Sequence, residues 1–155
     1  MSELDHYPAD TITAALSPHD PPARVACDRA PSPEMLHAFD QFNRGEYWEQ
    51  HETLERVWRA ESETSIRNFY KGIIQVGVGL YHLTRGNYPG VVKVLARGIN
   101  YLKPYSPDCY GVDVARLIDE ASRVYRHALA VGPERLEEIA LDSLPKIQLI
   151  PPKHI

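Results

Sequence analysis

The stretch RNFYKGIIQVGVGLYHL, residues 67 to 83, constrains the fold more than any other part of this sequence. Read at helical spacing it carries apolar side chains on nearly every face, among them Phe69, Tyr70, Ile73, Ile74, Val76, Val78, Leu80, Tyr81 and Leu83. A helix with no polar face has to be covered by other elements. Its longest apolar run, near residues 73 to 80, falls well short of the roughly 20 residues that span a bilayer. The expectation is a central helix, from about Thr64 to Arg85, enclosed by further helices and not by lipid.

The flanking segments supply those helices. Ser32 is placed to cap a helix that has Pro33 at its first position and runs to about Arg44, where Gly45 stops it. EYWEQHETLERVWRAE, residues 46 to 61, forms the next. After the central helix, Gly86 is a candidate left-handed C-cap and Asn87 a candidate N-cap for a helix that runs to about Leu102. KPYSPDCYG reads as a loop, and residues 112 to 131 as a fifth helix stopped by Gly132. A short sixth, PERLEEIAL, follows. No alternating strand pattern appears. The fold class is all-α, a compact multihelical bundle of five to six helices over residues 32–144.

Prolines set the limits of that bundle. Pro8, Pro18, Pro21, Pro22, Pro31 and Pro33 crowd the first 33 residues, which predicts an extended N-terminal arm over residues 1–31. Pro145, Pro151 and Pro152 mark a second extended segment, the tail 145–155. Its Ile147, Leu149 and Ile150 predict that it packs on the bundle.

Composition narrows the partners. A net charge of −4 and a pI near 6.0 do not suit a general polyanion binder, and the cations read as scattered along the chain. Nucleic acid and membrane are therefore not expected as partners. A protein partner or a homodimer through the apolar residues of the arms is compatible with the sequence. Cys27 and Cys109 are too far apart for a C-x-x-C motif and too few for a disulfide scaffold. Read as unpaired thiols, they place the chain in a reducing cytoplasm. MSELDHYPAD lacks the cationic start and apolar run of a secretory signal.

One histidine interrupts this pattern. Tyr47, His51, Leu54 and Trp58 share the seam that the second helix turns to the core, and Glu55 is one turn beyond His51. A buried imidazole without partners costs about 1–3 kcal/mol, so the carboxylate is its expected partner. On the central helix Gly72, Gln75, Gly79 and His82 share one face. Two interior glycines cost about 1 kcal/mol each against alanine, which is intelligible if a bulky neighbour approaches there. The expectation is a hairpin of these two helices with the Trp-bearing seam on the glycine face. His51, Glu55 and His82 would then be candidate ligands of a divalent transition metal, with Glu52, Gln75 and Trp58 lining a ligand site. The same residues, closed on themselves, would instead be a hydrogen-bond network that fixes helix crossing. H-E-T-L-E lacks the second histidine of a zinc-protease helix. His6, His19 and His154 lie in the arms and are expected to be solvated, and His37 and His127 sit on helices with no carboxylate at a telling spacing. Cys109 has no cationic neighbour that would make it a reactive thiol.

FNRGEYWEQHETLERVW, RNFYKGIIQVGVGLYHLTRGNYPGVVKVL and YGVD together resemble the bacterial and archaeal family called domain of unknown function 309. Its H-x-x-x-E-x-x-W/Y hallmark is matched by His51, Glu55 and Trp58, preceded by Gly45, Tyr47 and Glu49. Gly72, Gln75, His82, Gly86, Asn87, Gly90, Gly111 and Asp113 resemble its later blocks. The resemblance covers about residues 39 to 115 and departs at Gly77 and Gly79, where other small or aliphatic residues are more usual. It implies a compact all-helical protein whose motif is suggested to bind metal. RGNYPGVVKVL is also similar to the turn of a tetratricopeptide unit, but no 34-residue period recurs. Two functions stay open from sequence: a metal- or small-ligand-binding protein, an enzyme among the choices, and a non-catalytic helical interaction module.

Overall fold

The computed structural model describes residues 21–151. The expectations for His6, His19, His154 and most of the N-terminal arm lie outside the described residues. Among the described residues seven α-helices appear in order: α1 (Pro21–Cys27), α2 (Pro33–Asn43), α3 (Tyr47–Ala60), α4 (Arg67–Thr84), α5 (Tyr88–Gly90), α6 (Ala96–Leu102) and α7 (Val114–Val131). A π-helical turn, Val91–Leu95, joins α5 to α6, so the predicted helix from 88 to 102 is continuous but locally widened.

The local signals act as the sequence predicts. Ser32 accepts from the Met35 amide, and Asn87 Oδ1 accepts from the Gly90 amide. Gly45, Gly86 and Gly132 take positive φ where helices stop. The arm is not extended throughout. Residues 21 to 27 form α1, because proline is compatible with the first turn of a helix, where its missing N–H has no partner to lose.

α4 is the centre. Phe69, Ile73, Ile74, Val76 and Leu80 are all 0% exposed, and α3 and α6 pack on different sides of it. Such a helix contributes its apolar surface in every direction, at about 25 cal/mol per Å² removed from water. The glycines show how close the neighbours come. A Cβ on Gly79 would meet the Leu95 backbone at 3.0 Å, one on Gly98 the Val76 amide nitrogen at 2.6 Å, and one on Gly72 the Leu102 side chain at 2.6 Å. Gly72 and Gly79 therefore face the 91–102 helix and not α3, which corrects the predicted hairpin surface. Gly77 is the residue that admits α3, by leaving room for the Gln50 side chain.

The KPYSPDCYG segment holds more structure than a loop. Strands β1 (Asp108–Cys109) and β2 (Val112–Asp113) form an antiparallel hairpin. Tyr110 and Gly111 turn it, both with positive φ, the geometry that matches strand twist. The tail adds to it: Asp113 N donates to Gln148 O at 2.9 Å and Ile150 N to Gly111 O at 2.8 Å. Asn43 holds the tail from α2, donating to Ile147 O at 2.9 Å and accepting from Ile147 N at 2.7 Å.

Cys27 and Cys109 form a disulfide, with Cα atoms 4.2 Å apart and 82 residues between them in sequence. This overturns the expectation of unpaired thiols, and the reading of a reducing cytoplasm loses its premise. Spacing alone hides such a pair, because tertiary packing brings the two ends of the loop together. Beside it, Tyr110 N donates to Cys27 O at 2.7 Å and Arg24 donates to Asp108 O at 3.0 Å. Among the described residues no helix is long and apolar enough to cross a membrane.

Candidate functional site

The polar array of α3 runs along one helical face. His51 is 6% exposed, and its Nε2 lies 3.3 Å from Glu55 Oε2. This is an electrostatic contact and not an aligned hydrogen bond, since Oε2 is buried without a hydrogen-bond partner. Arg59 closes the row one turn later, with Nη2 at 2.9 Å from Glu55 Oε1. Above the imidazole, the Trp48 ring lies with its centroid 4.6 Å from that of His51 and 5.3 Å from that of Tyr81 on α4. The Arg85 guanidinium covers Tyr81 at 5.6 Å. Trp48 is 37% exposed, so the array is roofed by a partly solvated ring.

The other predicted residues are placed as follows. His82 sits at the end of α4 with Nδ1 3.2 Å from Asn87 Nδ2, packed on the turn at Gly90. Gln75 is 0% exposed within the body of α4. Glu52 points to solvent. Trp58 lies under the Arg67 guanidinium, 4.5 Å from its centroid. Among the described residues, no group of three or more His, Cys, Asp or Glu side chains is placed to hold a metal ion. The set His51, Glu55, His82 is thus not assembled. Periodicity assigned His82 to the glycine face, and that face turns to α6 and the segment before it.

Sequence reasoning passed over three other features. Gln50 is 0% exposed, its Nε2 donating to Ile74 O at 3.4 Å while Oε1 is buried without a partner. Tyr70 donates to Glu61 at 2.6 Å, and burial, then that bond, hold its phenol well above the ordinary range. Third, Arg67 and Lys71 lie side by side over Trp58. A sequence signal for the third was available. From Thr64 to Pro107 there is no Asp or Glu, while Arg67, Lys71, Arg85, Lys93, Arg97 and Lys103 all fall there. The cations are spread along the chain, and what sets this stretch apart is its lack of carboxylates.

Among the described residues, two cavities that open on the surface lie away from the row. One of about 720 Å³ lies beside the disulfide, between Cys27–Pro31, Asp108 and the tail at Leu149–Pro151. A groove of about 420 Å³ runs past Arg29, Glu61, Tyr70 and Tyr110. Neither is lined by His51, Glu55 or His82.

Fold and site together define a multihelical all-α protein with one buried central helix and a roofed His–Glu–Arg row on its neighbour. Residues 35–94, which hold that row and the central helix, match the model of the family described as Domain of unknown function (DUF309). The chain is also similar to the protein "Uncharacterized protein YpuF" of Bacillus subtilis (strain 168), 30% identical over 105 residues. That match covers 60% of this chain and 60% of the relative's length. No solved structure matches.

Proposed function

We propose that the chain is a non-catalytic helical interaction module in which His51, Glu55 and Arg59 are structural, holding α3 in register on α4. The observation that supports this reading is the burial of the imidazole, 6% exposed under Trp48 and outside the two cavities described above. A group that binds substrate has to be reachable, and a buried imidazole set against a carboxylate of its own helix acts on packing. The partner-facing side of such a module is the exposed edge of Trp48 with Tyr81 and Arg85, residue types that carry much of the energy in protein interfaces.

The test is thermal unfolding of His51→Ala with and without divalent metals. The module reading expects a loss of about 1–3 kcal/mol, from the lost electrostatic contact to the buried Glu55 carboxylate and the cavity left by the ring, and no metal response. An unchanged melting point would end it. A second reading, a cation held at His51 and Glu55, rests on that partnerless Oε2. It requires further donors from water or a partner, and expects manganese, iron, nickel or zinc to raise the wild-type melting point but not that of the variant.

A further inference from the structure

We propose that the Cys27–Cys109 bond is a redox latch. Reduction by a dithiol releases residues 24 to 31 from the β1–β2 hairpin and joins the two surface cavities, while the helices from α2 onward stay folded. The latch stands on different residues from the Trp48 edge and does not depend on that reading.

The two cavities share a wall. The cavity of about 720 Å³ and the groove of about 420 Å³ are each lined by Arg29 and Ala30, so the link between α1 and α2 is the partition between them. That link rests on the hairpin turn. Arg29 donates to the Tyr110 hydroxyl, and a Cβ on Gly111 would meet the Pro31 ring at 3.5 Å. Behind it the rings of Tyr70 and Tyr110 line the groove, 2% and 5% exposed. Moving the link uncovers them.

Without the sulfur bridge the link is lightly held. α1 has seven residues, too few to persist as a helix on its own. It rests on β1 and on the turn Thr64–Ile66, but from residue 24 to 27 only Ala26 and Cys27 are buried, both small. Val25 is 62% exposed. Two polar ties run to the same hairpin: Tyr110 N donates to Cys27 O at 2.7 Å, and Arg24 donates to Asp108 O at 3.0 Å. Arg24 also lies 3.5 Å from Asp108 Oδ1, a partly exposed ion pair of the kind that contributes little. The bundle does not draw on the bridge. Phe69, Ile73, Ile74 and Leu80 of α4 are enclosed with α3 and α6 packed on it, and none of these three helices holds a cysteine. Disulfides that replace a missing core belong to small domains; this one fastens an edge.

The chemistry is thiol–disulfide exchange. A thiolate of the reductant attacks Cys27, which lines the larger cavity, and Cys109 leaves as a thiolate and takes a proton. The second thiol of the reductant then attacks its own sulfur in that mixed disulfide, and Cys27 leaves in the same way. Two electrons and two protons pass to the chain, and the reductant ends as a disulfide. A disulfide-class oxidant runs the exchange backward.

The experiment treats the whole chain with dithiothreitol at pH 7 without denaturant, counts thiols and follows cleavage by trypsin. Two thiols are expected. Cleavage after Arg24 or Arg29 is expected to accelerate about tenfold or more as the open population rises. Arg116 and Arg123 within α7 are expected to stay uncut, the helical circular dichroism to hold, and reoxidation to restore the slow rate. Cys27→Ser is expected to be cut at the fast rate with or without the reductant, which separates release of the link from other effects of dithiothreitol. Absence of thiols after the native treatment would overturn the latch, as would one rate of cleavage at Arg24 and Arg29 in both redox states. Cleavage within α7 of the reduced chain as fast as at Arg29 would mean general unfolding, and would overturn it equally.

Discussion

Adding a single methyl group at Gly98 tests whether the α4–α6 crossing is as close as described. An alanine Cβ there would stand 2.6 Å from the Val76 amide nitrogen, 2.9 Å from Val76 Cγ2 and 3.0 Å from the Gln75 carbonyl carbon. Two opposing effects have to be weighed. Alanine is favoured over glycine in a helix by about 1 kcal/mol. Overpacking costs about 1–3 kcal/mol, and the upper end applies because the obstacle is the backbone of the central helix, not a mobile side-chain tip. The net expectation for Gly98→Ala is a loss of about 2 kcal/mol. At about 2–4 °C per kcal/mol for a domain of this size, the melting point should fall by about 4–8 °C. Gly86→Ala is the comparison, since nothing lies within 4 Å of its Cβ and only its φ of +69° opposes substitution. It should cost about 1 kcal/mol. Circular dichroism melts and urea titrations of both variants decide the matter. A Gly98→Ala protein as stable as the parent would refute the close crossing.

Three further outcomes follow from other parts of the fold. Reducing the Cys27–Cys109 bond, which closes a span of 82 residues, should lower stability by about 2–4 kcal/mol; equal urea midpoints with and without dithiothreitol would show that the pair is not bonded. Burial pushes the Tyr47 phenol from 10.0 up to about 12, so its neutral form favours the folded state and the benefit is intact below pH 10. Stability should fall as pH rises from 10 toward 12, and Tyr47→Phe should lose less over that window in urea titrations. Tyr70→Phe should cost about 1–2 kcal/mol through the lost bond to Glu61; a urea midpoint unchanged by the substitution would mean that water replaces the hydroxyl without loss.

How much of this was readable in advance depended on the range of the interaction. Caps and breaks are local, so Ser32, Asn87, Gly45, Gly86 and Gly132 are where the residues predict them. Burial is a property of periodicity, and the all-apolar stretch does become the enclosed helix. Periodicity says that a face is buried but not which neighbour covers it. Gly72 and Gly79 were therefore matched to the wrong helix, and His82, read from the same face, packs on the turn at Gly90. The i, i+4 pair His51–Glu55 could be read because it lies within one helix; Arg59, equally spaced, was overlooked. The cysteine pair could not be read, as nothing between residues 27 and 109 signals that the chain returns. The arm was taken as extended because its prolines were counted without noting that two of them open a helix.

The Cys27–Cys109 bond also decides how this chain would respond to tension. A pull applied between α1 and the tail would travel through the sulfur bridge into the β1–β2 hairpin, leaving residues 28 to 108 as a slack covalent loop that bears no load. Only the stretch from Tyr110 onward could be drawn out, to about 150 Å at most for residues 110 to 151. The helices that hold both the histidine row and the paired cations would stay unstretched until that bridge is cut.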